Sequence, residues 1–376
     1  VSATSFRPTL NQRATPTTGW GGKVEVRAPV GAARTLRLGM DVRGADGTAM
    51  EDALALSGAR TTSRSAGGRL IDAGAFAEAG AMWGGATLNA GARVDQLWSR
   101  DGRAVDIRAD GTVLADNHFA ARRRTMASFR GAAAYDVGGG AMVRASAYTG
   151  FRWPTLNELY RGFTIFPVTT RANAALEPER LRGAEAGITL APAAGWTVRV
   201  TGFDNRLADA IANVTIATNI RQRRNIAAIH ARGVEGEVEG RIGPWRLDAG
   251  WALVRARMHA APGDSAAAAL DGLRPAQTPQ FSGTLSLGWQ GRALLVQAGL
   301  RHVGAQYEDD RNVDIMPGAT TADALARWQW RGLTLSVRGE NLFNAAVQTR
   351  NAAGSIDLAT PRTVWIGAAW ALDRRP

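Results

Sequence analysis

Two kinds of side chain alternate along the stretch from Arg232 to Met258. Small or apolar residues from Val234 to Gly240 alternate with Glu235, Glu237 and Glu239. After the Gly243-Pro244 pair, the apolar positions are Trp245, Leu247, Ala249, Trp251 and Leu253. Because successive side chains of a β-strand point to opposite faces, this period of two predicts two strands that each have one polar and one apolar face. The tight turn between them makes the pair a hairpin.

Two architectures accommodate such a hairpin. A soluble sandwich buries the apolar face against a second sheet, whereas a transmembrane barrel turns that face to lipid and its polar face to a wet lumen. Similar segments recur from Lys23 to Leu372, about fifteen in all, and their lengths of roughly 8–15 residues suit tilted membrane strands. Short turns alternate regularly with long loops. Among these loops we expect Gly44–Gly68, with a helical turn at Glu51–Leu56, and a loop after Asn205 that ends near Ile229. The pattern predicts an all-β fold, an antiparallel transmembrane β-barrel with short periplasmic turns and long extracellular loops.

The strand count bears on completeness. Single-chain bacterial barrels have an even number of strands, and large transporter barrels have about 22 strands around a plugged lumen. The chain starts at Val1 and shows no signal peptide. We therefore expect residues 1–376 to be the C-terminal portion of the barrel domain, with the plug and about seven further strands encoded upstream.

Composition excludes several classes of function. There is no cysteine, so disulfides, thiolate metal sites and cysteine nucleophiles are absent, and the four histidines lack metal-ligand spacing. The net charge of +12 comes almost entirely from arginine. The arginines are spread over all segments, which argues against nucleic acid as a partner. A basic outer rim would instead attract the phosphates of lipopolysaccharide.

One mid-chain motif carries a family resemblance. The segment Gly150–Arg161 reads Gly-Phe-Arg-Trp-Pro-Thr-Leu-Asn-Glu-Leu-Tyr-Arg and resembles a mid-barrel stretch of TonB-dependent outer-membrane receptors. Further landmarks follow in the family's order, and the resemblance covers about Tyr148 to Leu372. These landmarks are Asn173–Arg180, Phe203–Arg206, Asp209–Ile211, Asn225, Arg232–Glu237, Glu340–Asn344 and Pro361-Arg362.

The resemblance implies a multi-pass receptor of the bacterial outer membrane. Such a receptor takes up a scarce ligand, typically a ferric siderophore or cobalamin, when the TonB–ExbB–ExbD complex pulls on its plug through a TonB box that we expect upstream. Outer-membrane lipid and lipopolysaccharide are the surroundings it implies. No bond chemistry is involved, so no enzyme activity, catalytic residue, cofactor or metal is expected.

The motif itself has a structural and a functional interpretation. Pro154 removes a ladder donor and so marks the end of a strand, and Thr155 followed by Glu158 three residues later is typical of a capping box. In the functional interpretation, Arg152, Tyr160 and Arg161 contact the ligand directly. The acidic run Glu308–Asp310 lacks the spacing of a calcium loop.

Three other functions stay open from the sequence. A passive porin would have the same wall chemistry but no upstream plug. A surface adhesin or phage-docking scaffold would not transport. An enzyme within the barrel is disfavoured, because no Ser/His/Asp set with suitable spacing is present.

Overall fold

The computed structural model describes residues 8–31, 33–165, 168–260, 265–352 and 355–371. Within these ranges the fold is almost entirely β, with two short helices, α1 (Leu156–Tyr160) and α2 (Ser265–Ala268). Neither helix is long and apolar enough to cross a membrane.

Fifteen of the described strands pair in chain order, each antiparallel to the next, in one continuous sheet. This number confirms the predicted count. They are β2 (Thr17–Pro29), β3 (Arg34–Leu54), β4 (Arg60–Trp83), β5 (Ala86–Arg108), β7 (Arg122–Gly138), β8 (Ala141–Arg152), β11 (Glu179–Leu190), β12 (Trp196–Ala217), β13 (Ile220–Ile242), β14 (Trp245–His259), β15 (Phe281–Gln290), β16 (Leu294–Val303), β19 (Ala319–Trp330), β20 (Leu333–Glu340) and β23 (Thr363–Trp370).

Eight further described strands are short and lie at the end of the sheet where the long loops connect the main strands. They are β1 (Leu10–Ala14), β6 (Val113–Phe119), β9 (Phe163–Ile165), β10 (Val168–Arg171), β17 (Gln306–Tyr307), β18 (Ile315–Met316), β21 (Gln348–Ala352) and β22 (Ser355–Leu358).

One face of the sheet is apolar and exposed. Trp245, Trp251 and Leu335 have relative exposures of 49%, 40% and 41%, so none is buried in a core. Cross-strand register places Trp245 opposite Trp289 beside the short turns, where an aromatic girdle is expected. This face is therefore the lipid-facing wall, as the alternation predicts.

The opposite face, which lines the lumen, carries ion pairs that cross from strand to strand. Arg37 on β3 donates to Glu25 on β2 and to Glu78 on β4. The predicted lumen glutamates follow the same rule, because Arg199 on β12 lies 3.1 Å from both Glu237 and Glu239 on β13. Because each charge has a partner of opposite sign, the lumen face can carry many charged side chains even where water reaches them only in part.

Several predicted loop boundaries were wrong. The segment Gly44–Gly68 is not a loop with a helical turn, because β3 and β4 pair up to Leu54 and Arg60. Likewise β12 and β13 pair almost to their tip, where Ala217 faces Ile220. Beyond the membrane both faces of a hairpin meet water, so the backbone ladder continues while the apolar alternation that reveals a strand is lost.

Candidate functional site

The helix α1 lies at the extracellular end of the lumen and is capped as predicted. The Thr155 hydroxyl accepts a hydrogen bond from the Glu158 backbone at 3.2 Å, and the Glu158 carboxylate accepts from the Thr155 backbone at 2.7 Å. The strand β8 ends at Arg152, just before Pro154. The residues therefore confirm the strand terminator and the capping box.

Arg152 links this helix to the barrel wall. Its guanidinium contacts Glu158 at 2.8 Å and also pairs with Glu179 at the start of β11. Burial of Glu158 opposes its ionisation, but hydrogen bonds from Arg152 and from the Thr155 backbone outweigh this effect and lower its pKa. The Glu179 carboxylate also accepts the backbone N–H of Ile211 at 2.7 Å. Arg152 thus joins β8, α1, β11 and β12.

Tyr160 is 4% exposed and fills a shelf made by two glycines. Its ring lies on Gly68 of β4 and Gly102 of β5, and a Cβ at Gly102 would lie 2.5 Å from the ring. The hydroxyl lies 2.7 Å from the Ser99 hydroxyl, and the ring stacks on Phe119 at 4.9 Å between centroids. The close approach therefore requires glycine at position 102, whereas a Cβ at Gly68 would make a tight contact of 3.1 Å with the ring.

The C-terminal end of α1 is held by two cations. Arg161 forms an ion pair with the buried Glu51 of β3. Arg223 of β13 is 9% exposed and donates to the carbonyl oxygens of Asn157 and Arg161, the latter at 2.9 Å. Its guanidinium lies 5.3 Å from the centre of the Phe163 ring. A guanidinium satisfies helix-end carbonyls well, because these oxygens have no partner within the helix.

The described parts of the segment Thr155–Arg171, residues 155–165 and 168–171, lie on the lumen side of the sheet, and we call them the strap. One end packs on β4 and β5 through Tyr160, and the other pairs parallel with β13, where Thr169 faces Ile220. Between these anchors the sheet runs through β7, β8, β11 and β12. The strap therefore connects two parts of the curved wall that are several strands apart in the sheet.

The family landmarks converge beside this strap. The Asn225 amide accepts from the Glu177 backbone at 2.9 Å and donates to the carbonyls of Glu177 and Asp209 at 3.0 and 2.6 Å. Asn173 donates to the Arg223 carbonyl at 2.9 Å. Sequence reasoning identified Asn173 and Asn225 as landmarks but gave no signal for Arg223, whose partners are all backbone oxygens or an aromatic ring.

Two cavities flank the strap, and Phe163 and Thr170 line both. The smaller has a volume of about 290 Å³ and the larger about 430 Å³. The smaller is also lined by Glu51, Arg64, Asp106, Asn117, Tyr160, Arg161 and Arg171. The larger is also lined by Asn213, Arg221, Gln277, Glu308, Asp310 and Arg350. Two of the predicted contact residues, Tyr160 and Arg161, thus border one cavity, whereas Arg152 borders neither.

The acidic run Glu308–Asp310 is part of a loop bonded to itself and to the wall. Asp309 accepts the backbone N–H groups of Val313 and Asp314 at 2.9 and 2.6 Å, and Asp310 accepts from Thr215. No cluster of three potential metal ligands occurs among the residues that the structure describes.

The antiparallel sheet is curved and has an apolar outer face, a charged lumen face and a strap at its extracellular end. These features define the wall of a transmembrane barrel. A family model for the TonB dependent receptor-like β-barrel matches residues 2–342. The chain belongs to this family, whose members are outer-membrane barrels. No curated protein sequence matches it.

Solved structures show the same fold at low sequence identity. The ferric yersiniabactin uptake receptor FyuA from Yersinia pestis has a TM-score of 0.74 at 16% identity, over 95% of this chain and 54% of its own. The copper transporter OprC has a TM-score of 0.73 at 17% identity, over 95% and 57%. The ferric-catecholate import receptor Fiu from K12 E. coli has a TM-score of 0.70 at 14% identity, over 96% and 58%. The chain thus spans a little over half the length of each.

Proposed function

We propose that this chain forms the larger part of the barrel of an outer-membrane receptor for energy-dependent uptake of a scarce ligand such as a ferric siderophore or cobalamin. The observation that carries the proposal is the strap, whose described residues lie at the extracellular end of the lumen with a polar cavity on either side. A passive porin needs an open mouth, whereas a receptor needs a place to hold a ligand before it enters.

The cavity walls favour an anionic or chelate-like ligand. Arg171 lines the smaller cavity and Arg221 the larger. Within the described ranges no carboxylate lies within ion-pair distance of either guanidinium. Unpaired arginines in a concave polar site suit carboxylate or phenolate oxygens. FyuA and Fiu, two proteins of this fold, are receptors for ferric chelates by their descriptions.

Among the residues proposed from the sequence, we assign ligand contact to Tyr160 and Arg161. Both line the smaller cavity, and Arg161 keeps side-chain exposure of 21% while paired with Glu51. Arg152 also belongs to the proposed set, although its guanidinium is engaged by Glu158 and Glu179.

Transport needs energy from outside this part of the protein. We propose that the TonB–ExbB–ExbD complex supplies it through a TonB box and plug encoded upstream of residues 1–376. The solved receptors are nearly twice the length that this chain covers, which leaves room for both. The ligand crosses unchanged, so neither catalytic groups nor a cofactor are involved.

Growth of a strain lacking the full-length gene, on single ferric siderophores or on cobalamin, tests the proposal. We expect one source to fail and the intact gene to restore it. Arg171→Gln combined with Arg221→Gln should weaken uptake of that ligand, whereas Arg292→Gln, in a short periplasmic turn, should not. Unimpaired growth on every source would favour the adhesin or scaffold function instead.

A further inference from the structure

Above its apolar band, the lipid-facing wall of four neighbouring strands turns basic. In one cross-strand row, Arg232 of β13 lies opposite both Asp204 of β12 and Arg255 of β14. The next row outward continues the pattern on β11 to β14. Its members are Arg182, Arg206, His230 and Arg257. We call Arg182, Arg206, Arg232, Arg255, His230 and Arg257 the outer arginine patch.

The patch begins where the apolar wall ends. The row immediately below contains Val234 and Leu253, which are 39% and 55% exposed. Below them the outward positions remain small or apolar down to Trp245 beside the short periplasmic turn. Two residues along a strand advance by about 7 Å. Arg232 and Arg255 therefore stand at the level where the hydrocarbon core gives way to the head groups of the outer leaflet.

Among the described residues, the arginines of this patch form no ion pair with a carboxylate. In the described part of the chain no carboxylate lies within ion-pair distance of Arg182, Arg206, Arg232 or Arg255, and the one acid among them, Asp204, bonds His230 at 2.8 Å. Yet like charges directly opposite in a β-ladder are destabilising.

The lumen face of the same strands is built differently. There Arg199 pairs with two glutamates and Arg246 with Asp248. The contrast indicates that the outer arginines are neutralised by anions from outside the protein.

We propose that the outer arginine patch binds the phosphate groups of lipopolysaccharide, the phosphorylated glycolipid of the outer leaflet. A guanidinium donates two parallel hydrogen bonds to phosphate oxygens, which a lysine cannot do. The apolar rows below accept the acyl chains of the same molecule. The site faces away from the lumen, so it acts independently of the ligand taken up.

The test uses the full-length receptor purified in detergent. Lipopolysaccharide is titrated into it, and binding is followed by native mass spectrometry. The variant Arg182→Gln, Arg206→Gln, Arg232→Gln, Arg255→Gln should bind more weakly by at least roughly tenfold. The matched control makes four such changes on the lumen face of β14, β16, β19 and β20, and its affinity should change by less than about twofold. Its positions are Arg246, Arg301, Arg327 and Arg338.

Two arms on the unmodified receptor do not depend on how the variant folds. Dephosphorylated lipopolysaccharide should bind as weakly as the intact glycolipid binds the variant. Phosphatidylglycerol, an anionic phospholipid, should fail to displace bound lipopolysaccharide at equal concentration. The proposal is overturned by equal binding of the dephosphorylated glycolipid, by effective displacement with phosphatidylglycerol, or by a folded variant that binds like the unmodified receptor. None of these readouts involves uptake, so they are separate from the test of transport.

Discussion

The substitution Leu285→Arg tests the division of the wall into a lipid face and a lumen face. Leu285 lies midway along β15, points outward with 44% exposure, and faces Ala249 and Leu300 on the neighbouring strands. The outward positions at the two ends of the strand are Phe281 and Trp289. Leu285 therefore lies near the middle of the bilayer, where a guanidinium is least tolerated.

The expected loss of stability follows from the distance between Leu285 and the two boundaries of the membrane. Phe281 and Trp289 are each four residues from Leu285, which corresponds to about 13 Å along a strand. An arginine side chain is too short to bring its charge to either boundary, so snorkelling gives little relief. An arginine at the midplane of a barrel costs about 2–4 kcal/mol. The folding equilibrium constant should fall by roughly thirtyfold to a thousandfold.

Urea unfolding of the full-length receptor in lipid vesicles measures this difference directly. The control is Ser286→Arg, one residue along the chain. Ser286 faces the lumen opposite Asp248, so the same guanidinium meets water and a carboxylate. Its unfolding free energy should change by less than about 1 kcal/mol. Equal losses for the two variants, or a larger loss for Ser286→Arg, would refute the assignment of faces.

Three further predictions concern the wall and the strap. Val337→Arg, at another outward position of 48% exposure, should reduce the yield of heat-modifiable folded barrel, whereas Ser336→Arg on the lumen face should not. Gly102→Val should displace Tyr160 from its shelf and lower the free energy of unfolding by about 1–3 kcal/mol, which faster proteolysis between residues 152 and 179 would show. Tyr160→Phe loses only a hydroxyl contact and should lower it by about 0.5–1.5 kcal/mol. The pKa of Glu158 is lowered from its ordinary value of 4.5, so the stability that its ionised carboxylate contributes is complete above pH 4.5 and is lost as the pH falls through the lower folded-state pKa. Amide exchange of the strap should therefore become faster at that acidic pH. Glu158→Gln should show the same faster exchange at pH 7.

The wall of the barrel could be predicted because its physics is local. Alternation along Leu333, Leu335 and Val337 fixes which face meets lipid, and pairing with the next strand follows from short turns. The hairpin predicted for the stretch from Arg232 to Met258 was confirmed for the same reason. The extensions of β3, β4, β12 and β13 were missed, because a strand with water on both sides has no apolar period to detect.

The site could be predicted only where its contacts are close in sequence. The capping box joins Thr155 to Glu158, three residues apart, and its spacing alone was enough to identify it. The glycine shelf joins Tyr160 to Gly102, and nothing near either residue signals the other. A buried cation whose partners are backbone carbonyls, such as Arg223, leaves no pattern at all.

The residues that carry the family resemblance and those that would select a ligand play different physical roles. Arg152, Asn173 and Asn225 form hydrogen bonds with neighbouring elements and so hold the strap in place. A cation already engaged by two carboxylates has less to offer a ligand than one with none. Arg171 and Arg221 border the cavities and have no such partner among the described residues. We therefore infer that the fixed strap provides a common support, and that exchanging cavity-lining residues beside it changes the ligand while the support is kept.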